Sequence, residues 1–92
     1  MSQKTRAALS ILRRNQVEAE SGYSRSTIYL RMAQGLWPKP VSIGARAVGW
    51  PSGEVDALNA ARIAGKTDLE IRELVTRLRV ERANLVATGG AQ

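Results

Sequence analysis

Arg25, Ser26 and Thr27 follow Ser24 where the sequence reads as the start of a helix. A guanidinium and two hydroxyls at a helix N-terminus suit hydrogen bonds to phosphates or base edges, not the making or breaking of covalent bonds. Tyr29 and Arg31 continue the same helix, and Lys39, Ser42 and Arg46 follow within fifteen positions of it. The usual instruments of covalent and metal chemistry are missing, because the chain contains no histidine and no cysteine. That removes imidazole base catalysis, thiol nucleophiles, disulfides and Cys/His zinc sites. No glycine-rich phosphate loop is present. Carboxylates pair only at helix starts and on helix faces, where caps and ion pairs account for them. No catalytic residue, metal ligand or cofactor is expected.

The charge points the same way. Of 14 cations, 11 are arginine, the side chain whose planar fork matches phosphate and guanine. The formal net charge is +6. Residues 1–50 hold eight cations against only Glu18 and Glu20, whereas residues 51–92 balance six cations with six acids. The whole excess lies in the first half. Such asymmetry predicts a half that faces a polyanion and a neutral half for packing or association.

The 92 residues bound what can position these groups. They make one small domain, and an apolar fraction of 43% with 24% charged residues fits a folded chain. No run approaches the roughly 18–20 apolar residues of a membrane span, and the N-terminus lacks the apolar stretch of a signal peptide. The expected location is cytoplasmic. Residues 1–10 read as a flexible basic arm carrying Lys4 and Arg6. Ile11-Leu12-Arg13 is an apolar opening with the look of an edge strand. Asn15 is the expected N-cap of a short helix reaching Ser21, with Gly22 just past its end. Ser24 caps a second helix over 25–34, closed by Gly35. Ile28 and Met32 of this helix face the core, with Tyr29 at the boundary and Arg31 on a flank.

Pro38 and Pro40 force the next stretch out of helix. Val41-Ser42-Ile43 and Val48-Gly49-Trp50 alternate, so a two-stranded hairpin is expected, with Val41, Ile43, Val48 and Trp50 on one face and Arg46 near the tip. Trp37 and Trp50 are expected to fill the core. A third helix begins at Pro51-Ser52, places Glu54 and Asp56 in its first turns and ends at Gly65. Thr67 and Glu70 have capping-box spacing and open a last helix to about residue 87, with Gly89 and Gly90 in a frayed tail. Arg13 and Arg14 read first as solvated, with phosphate contact as the second reading.

A short helix, a tight turn, a capped second helix and a hairpin make a winged helix-turn-helix over 11–65. The fold class is mainly α with a small β-hairpin plus a C-terminal helix. The run Ser21-Gly22-Tyr23-Ser24-Arg25-Ser26-Thr27-Ile28-Tyr29, then Pro38-Lys39-Pro40-Val41 and Gly44-Ala45-Arg46-Ala47-Val48-Gly49-Trp50, resembles the AlpA-type prophage regulators. These are small winged-helix proteins related to the MerR-like DNA-binding domain. The resemblance spans roughly residues 11–64. It implies a sequence-specific double-stranded DNA-binding protein of a mobile element, acting as an excisionase, a transcription regulator or both. By the same resemblance Arg25, Ser26, Thr27 and Tyr29 match the recognition helix, and Lys39 and Arg46 match the wing. An excisionase performs no chemistry; it binds beside an attachment site and helps position an integrase.

Residues 66–92 fall outside the resemblance. Ile71, Leu74, Val75, Leu78 and Leu85 form a stripe on the last helix, interrupted by Arg82. At 1.5 Å per residue this helix would run about 30 Å, longer than a small domain covers. Self-association is expected, as a dimer or head to tail on adjacent DNA sites, with packing on its own domain as the competing reading. A DNA-packaging recognition subunit built as a closed ring is a further alternative.

Overall fold

The computed structural model describes residues 10–90, with side chains for residues 10–85. The basic arm expected over 1–10 therefore lies outside the described residues except for Ser10, as do the last two residues. The elements run β1 (Ile11–Leu12), α1 (Arg14–Ser21), α2 (Arg25–Ala33), β2 (Val41–Gly44), β3 (Ala47–Pro51), α3 (Ser52–Ile63) and α4 (Asp68–Gly90). The three strands form an antiparallel sheet in the order β1-β3-β2. This is a mainly helical winged helix-turn-helix with a small sheet and a C-terminal helix, as the sequence predicts. No helix among the described residues is long and apolar enough to cross a membrane.

The helix ends obey local chemistry. Ser24 accepts a hydrogen bond from the Thr27 amide at 3.2 Å and caps α2. Gly35 lies in the left-handed region at φ 77°. Its amide reaches the Met32 carbonyl at 3.1 Å, while that of Leu36 returns to Arg31 at 2.8 Å. These two bonds satisfy carbonyls at the helix end and turn the buried Leu36 inward. Thr67 and Glu70 form the expected capping box: the Thr67 amide donates to Glu70 at 2.8 Å and the Glu70 amide to Thr67 at 3.2 Å. The hydrogen bond from the Thr67 amide, followed by that from its hydroxyl, holds the Glu70 carboxyl below the usual carboxylate range.

Three local expectations are corrected. The N-cap of α1 is Arg13, not Asn15, with the Gln16 side chain accepting from the Arg13 amide at 2.8 Å. A side chain from the first turn does the capping, so the polar type of Asn15 misleads. In the hairpin, Val41 pairs with Gly49 and Ser42 with Val48, and the register breaks between Ser42 and Gly44. Val41 and Val48 thus lie on opposite faces, and Ile43 and Val48 are 40% and 37% exposed while Trp50 is fully buried. The bulge defeats simple alternation. Finally, α4 runs through Gly89 and Gly90.

The core is built around both tryptophans with Leu12, Val17, Ile28, Val55 and Leu58. Gly49 is required by close approach: a Cβ there would meet Ile11 Cγ2 at 2.5 Å and the Leu12 carbonyl at 2.8 Å. Ile71 and Leu78 of α4 are also buried in this core, with Leu74 and Val75 packed against it. Arg82, which interrupts that stripe, is a specific tie. Its Nε donates to Glu54 Oε2 at 2.7 Å and its Nη2 to Glu54 Oε1 at 2.6 Å. The same Nη2 donates to the Lys39 carbonyl at 2.8 Å.

Replacing Arg82 with alanine leaves the buried Glu54 carboxylate without its partner. A loss of about 2–4 kcal/mol is expected, read from the urea midpoint of unfolding. The double variant Glu54→Leu/Arg82→Met is expected to lose less than Arg82→Ala alone, because it removes both charges and keeps apolar volume.

Candidate nucleic-acid interface

The exposed face of α2 carries Arg25, Ser26, Tyr29 and Leu30, while Ile28 on the opposite side is fully buried. Helical periodicity produces this division, and burial of Ile28 fixes which side faces out. Arg25 places its guanidinium 5.9 Å from the centre of the Tyr29 ring. The Ser26 and Thr27 hydroxyls lie 3.3 and 2.9 Å from the capping Ser24 hydroxyl. Thr27 is half-buried, so Arg25, Ser26 and Tyr29 make the accessible set.

The two-residue turn between β2 and β3 holds Arg46 out from the body. Arg13 and Arg14, at the start of α1, approach from the other side. Together Arg13, Arg14, Asn15, Tyr29, Arg46 and Val48 line an open groove of about 530 Å³. Three guanidinium-bearing residues line it and no acid does. Glu18 is the nearby counter-charge, holding Arg14 Nη1 at 3.2 Å on the α1 surface. The N-terminus of α1 adds its partial positive charge to the rim. Such a surface can hold a linear polyanion along the groove while the α2 face is presented beside it. Among the described residues no group of three or more His, Cys, Asp or Glu could hold a metal ion.

The eight residues expected from sequence divide into three groups. Tyr29 and Arg46 line the groove, with Arg25 beside Tyr29 and Ser26 and Thr27 at the start of α2. Ser42 is exposed on β2 and donates to the Gly44 carbonyl at 3.2 Å. Arg31 and Lys39 line two other cavities. Arg31 lies 5.8 Å from the Tyr23 ring and points Nη1 toward Gln34 Oε1 at 3.4 Å. Asn15 is a rim residue that sequence reasoning missed, and Arg13 and Arg14, read first as solvated, join it. The signal was their place at the start of a helix, hidden by setting that helix two residues late.

On α4, Ile71 and Leu78 are in the core, Leu74 and Val75 are half-buried against it, and Leu85 is 48% exposed. Leu69 and Val80 are exposed as well, at 65% and 55%.

Comparison with known proteins adds a lineage to this geometry. The sequence profile of the family described as "Prophage CP4-57 regulatory protein (AlpA)" matches residues 10–63. These residues include both helices of the helix-turn-helix, the hairpin and α3. A relative from Enterobacteria phage P4, "Uncharacterized protein ORF88", is 49% identical over 45 residues. That match covers 49% of this chain and 51% of the phage protein, about half of each. No solved structure matches the chain.

Proposed function

The chain belongs to the AlpA family of prophage regulatory proteins, and from that premise we propose that it binds double-stranded DNA through the groove between α1, α2 and the wing. The observation that carries this reading is the convergence of Arg13, Arg14 and Arg46 on one groove beside the exposed face of α2. The major groove admits one helix and distinguishes all four base pairs. In this reading α2 enters it, with Arg25 reading a guanine edge and Ser26, Thr27 and Tyr29 as close neighbours. Arg46 contacts the backbone or the adjacent minor groove, and Arg13 and Arg14 meet phosphates. Ser42 contacts the backbone from the wing. Lys39 and Arg31 have secondary parts at most, since each faces another cavity.

Within this reading the chain is an excisionase of a phage or integrative element, working in the bacterial cytoplasm beside an integrase. Support comes from α4, whose apolar stripe packs on the core through Ile71 and Leu78 while Leu85, further along the same side, is 48% exposed. Neighbouring copies on adjacent sites meet through the end of that stripe, with Leu85 as the member left exposed for the contact. A dedicated transcription regulator is the alternative, and it requires only the DNA face.

Arg25→Ala is expected to weaken binding to the preferred site by about 1–3 kcal/mol and to relax its sequence preference. Arg46→Ala is expected to weaken binding evenly across sequences and to lower the salt dependence by about one phosphate. Fluorescence anisotropy on preferred and scrambled duplexes separates the two; unchanged affinity in both variants would sink the groove assignment. Leu85→Glu is expected to leave single-site affinity intact and abolish cooperative filling of adjacent sites, measured by mobility shift on one-site and three-site duplexes.

A further inference from the structure

A second cavity, of about 170 Å³, lies where α2, α3 and the start of α4 meet. Arg31, Arg62 and Lys66 line it together with a single acid, Asp68. Tyr23 and Trp37 supply its aromatic wall. The Arg62 guanidinium sits 4.2 Å from the centre of the Tyr23 ring and that of Arg31 sits 5.8 Å from it. Trp37 meets the same ring edge-on at 5.7 Å.

Among the described residues, two side-chain nitrogens are buried with no hydrogen-bond partner: Arg31 Nε and Trp37 Nε1. Both residues line this cavity, and Trp37 also lines the neighbouring one beside Met32 and Lys39. Trp37 is 2% exposed, so solvent does not reach its indole. Trp50 is the contrast, because its equally buried indole donates to the Pro38 carbonyl at 2.8 Å. Leaving such a donor unmatched is costlier than leaving it in water. Both orphans are donors, and the cations around them outnumber the acid. What satisfies all of these groups is a compact anion rich in acceptor oxygens. The cavity exceeds the roughly 30 Å³ of one water and falls below the roughly 300 Å³ of a pocket for a larger organic ligand.

We propose that Arg31, Arg62, Lys66 and the indole N–H of Trp37 form an oxyanion site for a phosphate group, separate from the groove at the wing. Arg31 belongs to the last turn of α2. Phosphate bound there ties the end of that helix to the α3–α4 joint and holds its exposed face in one orientation. The phosphate is either a free ion or a DNA backbone group.

The test uses the full ¹⁵N-labelled chain and its two indole resonances, titrated with inorganic phosphate at constant ionic strength. The Trp37 indole and Arg31 Nε signals are expected to move and saturate, while the Trp50 indole stays in place. Arg62→Gln and Lys66→Gln, both at exposed positions, are expected to weaken the apparent affinity about three- to ten-fold. Equal unsaturated drift of both indoles, unchanged in the variants, means an adventitious ion only and overturns the proposal, as does a stationary Trp37 signal. A short duplex added in phosphate-free buffer then distinguishes the source. If the duplex moves the Trp37 signal and blocks its later response to phosphate, the group comes from DNA. If the response to phosphate survives, the ligand is free phosphate. The first titration contains no DNA, so its failure leaves the reading of the groove untouched, and failure to bind DNA leaves this site standing.

Discussion

The wing is held by one buried ion pair. Glu54 sits in the first turn of α3, directly after the hairpin, and Arg82 reaches it from α4 through two hydrogen bonds. An almost fully enclosed carboxylate is tolerated only when paired in this way. Arg82 also takes the Lys39 carbonyl, at the approach to β2. The neighbouring Pro38 carbonyl is taken by the Trp50 indole. The chain is thus pinned where it enters the hairpin and where it leaves it. The turn carrying Arg46 projects from a fixed base, and the last helix belongs to the same unit.

Charge is sorted by the same economy. Glu54 is used by Arg82, Glu70 caps its own helix, and Glu18 steadies Arg14. Arg13 and Arg46 are exposed, and with Arg14 they converge on one groove beside the outward face of α2. Conflicting demands on α2 are met by its two sides. Ile28 anchors the helix in the core, while Arg25 and Tyr29 remain outward. The turn at Gly35 then sends Leu36 and Trp37 back into the interior.

Features written in short stretches were legible in the sequence. The Ser24 cap, the glycines closing α2 and α3, the Thr67–Glu70 box and the two core tryptophans each follow from neighbours within a few residues. Features set by distant partners were not. Arg82 reads as a blemish in an apolar stripe, because its partner lies 28 positions away. The hairpin register depends on a bulge that alternation does not encode. Arg31 reads as a flank residue of α2, but the sequence does not name what lies on that flank. It is Tyr23, whose ring lies 5.8 Å from the guanidinium. The stripe on α4 was real, but length and periodicity alone do not say whether its partner is another copy or the chain's own core. Ile71 and Leu78 meet that core.

The most direct measurement of the proposed DNA role is a footprint of the full chain on DNA spanning its own promoter and the nearest attachment site. Dimethyl sulfate reports guanine N7 in the major groove, and hydroxyl radicals report the backbone. The proposed function predicts protected major-groove guanines flanked on one side by protected backbone where the wing lies. An excisionase role predicts several such units, filled cooperatively, beside the attachment site. Protection of the promoter alone would make the chain a dedicated regulator. An unprotected duplex, with a closed ring of the protein in solution, would contradict the DNA-face assignment and favour a packaging subunit.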